Sequence, residues 1–142
     1  MPGTKDLLFV YGTLRTGFQH PMSEVLASFS AAEGNGQISG DLYDLGEYPG
    51  VVLSSNCRNR VVGELRALDP DQAQAAWQVL DEYEECTPAF PEPHQYERRM
   101  VRVILADGIE TEAWAYILRT LKPGAVRIPS GDYLAWCQQR SH

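Results

Sequence analysis

Leu7-Leu8-Phe9-Val10 is a run of four apolar residues that ends at Tyr11-Gly12. A half-exposed strand alternates apolar with polar residues, so this unbroken run predicts a strand covered on both faces, its end held rigid by a core. Gly12 permits backbone angles that a Cβ would resist, and its missing side chain lets a ligand approach the amides of Gly12, Thr13 and Leu14. Several N–H donors at such a turn can bind one anion or carbonyl oxygen. A plain exit from strand to loop is the alternative reading of the same residues.

The remaining chain must supply what covers that strand. Pro21 to Phe29 carries Met22, Val25, Leu26 and Phe29 at helical spacing. Gly34-Asn35-Gly36 predicts a turn, followed by a strand in which Ile38, Gly40 and Leu42 alternate with Ser39, Asp41 and Tyr43. Tyr48-Pro49-Gly50 predicts a second turn before Val51-Val52-Leu53, and Val61 to Leu68 a further strand with Glu64 and Arg66 outward. Asp69-Pro70, with Gln72 in capping-box register, has the form of a helix start; the helix is expected to reach Glu84 or Glu85 before Thr87-Pro88 stops it. The segment from Cys86 to Gln95 reads as loop.

From Tyr96 a period of two puts Val101, Val103 and Leu105 on one face, and Asp107-Gly108 predicts a two-residue hairpin turn. The return strand, Ile109 to Leu118, is apolar on both faces around Trp114, Ala115 and Tyr116. Asp132 to Gln139 predicts a C-terminal helical turn that packs Tyr133, Leu134 and Trp136. Strands with helices at separate places, rather than in βαβ alternation, predict an α+β fold. Leu7–Tyr11, Val101–Leu105 and Ala113–Leu118 are expected as adjacent buried strands of one closed or nearly closed sheet.

At 142 residues and 44% hydrophobic, the chain fits one domain, residues 1–142, with a core that buries roughly 70% of the unfolded surface. A net charge of −7 argues against nucleic acid as a partner, which calls for a basic stripe. No stretch approaches about 18 consecutive apolar residues, and the Leu7 run is too short for a signal peptide, so a cytoplasmic protein without a membrane partner is expected. Cys57, Cys86 and Cys137 are odd in number and far apart, which predicts reduced, non-catalytic thiols. His20, His94 and His142 lack HxxxH or HExxH spacing, so no metal site is expected, and neither a GxSxG elbow nor a GxxxxGK loop is present.

Asp81, Glu82, Glu84 and Glu85 form an acidic cluster at the end of the second helix. At about 100° per residue, Ala73, Ala76, Trp77, Leu80 and Tyr83 make one apolar stripe, and Glu84 falls within it while Asp81, Glu82 and Glu85 fall outside. A carboxylate aimed at a core is costly unless paired or functional. Glu84 is therefore either a working acid or a helix-end residue that reaches outward or bonds Arg98 or Arg99.

VYGTLRTG at 10–17, GDLYDLGEYPGVV at 40–52, LDEYE at 80–84 and YERRMVRV at 96–103 occur in the order and rough spacing of the gamma-glutamylcyclotransferase-like (AIG2-like) family, which the chain resembles along nearly its whole length. The resemblance implies a small mixed β-barrel flanked by helices, with a ligand cavity at its mouth. It also implies a reaction on a small-molecule γ-glutamyl substrate. The α-amine attacks its own γ-carbonyl, closes 5-oxoproline and releases the amine, with no cofactor. LDEYE resembles the segment whose last Glu is the family's acid/base, which gives that role to Glu84; burial would raise it from about 4.3 toward neutrality. The loop of Tyr11, Gly12, Thr13 and Leu14 is expected to bind the substrate. Tyr116 lies in AWAYIL, similar to the family's Trp-x-Tyr strand, and reads either as a substrate contact or as a core aromatic.

Two departures bear on the leaving group: Glu85 stands where many relatives have Gly, and the Cys86–Gln95 loop is longer than the shortest members need. A binding protein of the same fold that has lost turnover, and a hydrolase that releases glutamate, are the alternative functions. The sequence leaves the amine and the oligomeric state open.

Overall fold

In the computed structural model of the protein, residues 6–12, 21–46, 48–54, 59–84, 94–119, 121 and 123–140 are described. Their elements are β1 (Leu7–Val10), α1 (Pro21–Ser28), β2 (Ser30–Asp44), β3 (Pro49–Leu53), β4 (Arg60–Leu68), α2 (Ala73–Tyr83), β5 (Tyr96–Leu105), β6 (Glu110–Leu118), β7 (Val126–Arg127) and α3 (Tyr133–Arg140).

β1 explains why the first apolar run has no polar face. Phe9 turns into a barrel interior with Ile38, Val61, Leu65, Val103 and Ala115, whereas Leu8 and Val10 turn outward against Leu26, Phe29, Leu68, Ala76 and Leu80. A Cβ at Gly63 would lie 2.5 Å from both the Phe9 ring and the Val10 carbonyl oxygen, so glycine there makes the room that Phe9 occupies. The barrel has five strands. β1 pairs antiparallel with β4 and parallel with β6, β6 with β5, β4 with β2, and β2 closes the ring through Gly36↔Leu105 and Gln37↔Ile104. The three apolar runs expected as neighbours are indeed consecutive around it, as β1, β6 and β5. β3 and β7 pair with the far end of β2, outside the ring.

Several local expectations change. Gly34-Asn35-Gly36 is not a turn: β2 runs straight through it, and the register shift between Ala32 and Gly34 makes Glu33 the extra residue of a β-bulge, with Gly34 at φ +112°. Arg66 does face out of the barrel, but that face is covered, leaving it 6% exposed with Nε donating to Ser30 Oγ at 2.7 Å. The second helix starts at Ala73, not at Pro70. Asp69 N–H bonds the Phe29 carbonyl and Gln72 N–H bonds the Asp69 carbonyl, so residues 70–72 spend a turn leaving β4 before the helix begins. Tyr83, expected in the apolar stripe, is 37% exposed, because the buried contact narrows to Ala76 and Leu80. The β5–β6 hairpin has a three-residue loop rather than two: Gly108 N–H bonds the Leu105 carbonyl, Leu105 N–H bonds the Ile109 carbonyl, and Gly108 takes φ +89°.

α3 follows a side-chain cap. Asp132 Oδ1 accepts the Ala135 N–H at 3.2 Å, and Trp136 Nε1 donates to Asp44 Oδ2 at 2.9 Å, tying the helix to β2. Replacing Asp132 by Ala is expected to cost about 1 kcal/mol. Urea unfolding with an unchanged m-value checks this, and an unchanged midpoint would show that the cap contributes nothing. Cys137 in this helix forms no disulfide among the described residues; Cys57 and Cys86 lie outside them. Among the described residues no helix is long and apolar enough to cross a membrane.

Candidate functional site

β1 leaves the barrel at Tyr11, and the side chain stays with the core: Tyr11 is 7% exposed and donates its hydroxyl hydrogen to the Tyr116 carbonyl at 2.5 Å. Gly12 then lies against β3. A Cβ on it would come 2.7 Å from Pro49 Cγ, closer than real contacts allow, so glycine is what permits the chain to pass there. The Pro49 carbonyl in turn accepts the hydroxyl of Tyr96, at the start of β5, at 2.5 Å. Tyr48 completes this layer, its ring centroid 6.2 Å from that of Tyr96.

α2 brings the acid. Ala76 and Leu80 dock the helix, and Glu84, one turn past Leu80, is its C-terminal cap residue, with its N–H on the Leu80 carbonyl at 2.9 Å. The side chain is half-buried. Loss of water around the carboxyl, and secondly the charge of Asp81, push its pKa up to about 7. The same carboxylate acts on the phenols: burial first, then the Glu84 charge, raise Tyr11 well above its ordinary value, against a lowering hydrogen bond from the Val51 backbone. Tyr96 is raised by burial, then by Tyr11 and by Glu84. Three acids from β1, β5 and α2 thus converge at one end of the barrel.

A carboxyl that titrates near neutrality can both accept and donate a proton at physiological pH. The two phenols have committed their hydrogens to backbone carbonyls, leaving oxygen lone pairs as acceptors. Among the described residues no group of three or more His, Cys, Asp or Glu could hold a metal ion. A groove of about 350 Å³ lies elsewhere on the barrel, lined by Ile38, Arg60, Met100, Arg102 and Glu110 among others, and includes none of these acids. Glu84, Tyr11 and Tyr96 are close enough at the Glu84 end of the barrel for one to shift another's proton affinity.

Of the residues singled out from the sequence, Tyr11, Gly12 and Glu84 meet here. Thr13 and Leu14 lie outside the described residues. Tyr116 touches the site through its carbonyl, while its hydroxyl donates to Asp81 Oδ1 at 2.7 Å. Sequence reasoning missed Tyr96 and Asp81. Tyr96 had a signal, since it stands on the opposite strand parity to Val101 and Val103; Asp81 was set aside only because it falls off the apolar stripe.

The family model described as gamma-glutamyl cyclotransferase, AIG2-like, matches residues 8–135. A Vibrio cholerae protein is 33% identical over 144 residues, covering 95% of this chain and 98% of its own. The Bos taurus gamma-glutamylaminecyclotransferase is 30% identical over 137 residues, covering 88% of this chain and 73% of its own. Among solved structures, an AIG2-like protein from Mus musculus superposes with a TM-score of 0.67 at 26% identity, over 85% of this chain and 82% of that one.

Proposed function

Because the chain belongs to the gamma-glutamyl cyclotransferase, AIG2-like family, we propose that it cyclises a γ-glutamyl amine or peptide to 5-oxoproline and releases the amine, with Glu84 as general acid/base. The observation that carries this reading is the Glu84 carboxyl, pushed up to about 7 at the end of LDEYE, beside the buried phenols of Tyr11 and Tyr96.

The substrate's α-ammonium arrives with three protons, and the lactam nitrogen keeps one. Glu84 takes the first, freeing the lone pair that attacks the γ-carbonyl, and relays a proton to the departing nitrogen as the amide bond breaks; the amine leaves as an ammonium ion carrying both. Attack within one molecule needs the glutamyl chain folded, and a site that binds the folded conformer lowers a barrier that is already intramolecular. We assign that holding to the Tyr11–Leu14 loop, whose N–H groups suit the α-carboxylate or the developing oxyanion. The hydroxyl oxygens of Tyr11 and Tyr96 suit the ammonium. Ring closure draws both nucleophile and electrophile from the substrate, so the proposal includes no cofactor, and it places the activity in the cytoplasm.

Incubation with a panel of γ-glutamyl amines and dipeptides, read by mass spectrometry, tests the reading. Release of 5-oxoproline is the expected result. Free glutamate would mean attack by water, and binding without any product would mean a metabolite-binding protein.

A further inference from the structure

Asp81 stands one helical turn before Glu84 and is gripped from two strands at once. Tyr116 of β6 donates its hydroxyl to Oδ1 at 2.7 Å, and Arg98 Nη2 of β5 lies 3.5 Å from Oδ2. Tyr116 and Arg98 are direct cross-strand partners, so their side chains rise from one spot on the barrel wall to meet the helix. The guanidinium is itself fixed. Its Cζ lies 4.3 Å from the centroid of Trp77, one turn earlier on α2, and 5.3 Å from that of Trp114 on β6. Trp77 Nε1 donates to Asp6 Oδ2 at 2.8 Å, which anchors the helix on the far side.

We propose that Asp81 is a positioning residue for Glu84: held by Tyr116 and Arg98, it fixes the last turn of α2 against the barrel and keeps a negative charge next to the Glu84 carboxyl. The inference rests on the reading of Glu84 as general acid/base. A mere staple for the helix would not need a charge, since asparagine offers Tyr116 the same acceptor. The charge matters because Asp81, after burial, is the second cause that holds Glu84 near neutrality. Among the described residues the groups acting on Glu84 or acted on by it are Asp81 from α2, Tyr11 from the end of β1 and Tyr96 from β5; Arg98 of β5 and Tyr116 of β6 address Asp81, while Tyr48 and Tyr133 act on Tyr96.

The test is the titration of the Glu84 carboxyl in the full chain by ¹³C NMR, together with the pH profile of kcat/KM. Asp81→Asn is expected to lower the Glu84 midpoint by about one pH unit and to move the acid limb of the profile down with it, with kcat falling more than KM changes. Arg98→Met leaves the Asp81 charge unopposed and is expected to move the midpoint up. An unmoved midpoint in folded Asp81→Asn overturns the proposal, whatever happens to activity. Should that variant fail to fold, Arg98→Met decides alone: the midpoint rises, or the proposal falls. Failure of the underlying functional reading looks different, because the wild type then releases no 5-oxoproline while the midpoint still shifts.

Discussion

Glu84→Gln is expected to lower turnover by about 10²–10⁴-fold, the usual contribution of a positioned proton donor and acceptor. Gln keeps the length and the polar atoms, so the end of α2 and the packing of Leu80 survive, but the amide can neither take the ammonium proton nor return it. Binding of a γ-glutamyl ligand is expected to persist in this variant, since the Tyr11–Leu14 loop and not Glu84 is assigned to holding it. Glu82, exposed on the other side of the helix, provides the control: Glu82→Gln should leave the chemical step intact. Normal turnover by Glu84→Gln beside a dead Glu82→Gln would show that the wrong carboxylate was chosen.

The second large effect is on stability and runs with pH. The Glu84 carboxyl titrates about 7 in the folded chain, against an ordinary value of 4.5. A raised folded-state pKa means that the native protein binds the proton more tightly than the unfolded chain does. The associated stability is fully present below pH 4.5 and is lost as pH rises through 7. The difference amounts to about 3 kcal/mol at most, less to the extent that the half-buried carboxyl keeps some water. Glu84→Gln lacks this titration, so urea unfolding from pH 4.5 to 8 should show the variant gaining on the wild type as pH rises, with the gap level above pH 8. Other groups cancel in that comparison. A gap that does not change with pH would mean that the carboxyl is not desolvated in the native state.

Both expected effects trace to Glu84, whose position at the end of the second helix was legible in the sequence. Helical periodicity carried from Leu80 puts Glu84 on the barrel side, and the helix extends far enough to deliver it. The unbroken apolar run of β1 likewise announced a strand covered on both faces, since no solvent-exposed face can be built from Leu7, Leu8, Phe9 and Val10. The apolar β6 announced the same for its own neighbourhood. These features are local: a period, or the absence of one, is written in consecutive residues.

What the sequence could not decide depended on which segment lies opposite. A glycine pair fits a turn or a bulge equally well, and only the pairing of β2 with β4 carries the strand through Gly34. Arg66 points out of the barrel as its strand parity demands, yet that outer surface is covered, a fact settled by packing rather than by parity. Asp81 gained its role from Arg98 and Tyr116, which are remote in sequence and adjacent only because β5 and β6 pair there. The near-neutral carboxyl of Glu84 belongs to the same class. Its identity and direction come from the helix, but its proton affinity is set by the water that the folded barrel excludes and by the charge that neighbouring strands hold beside it.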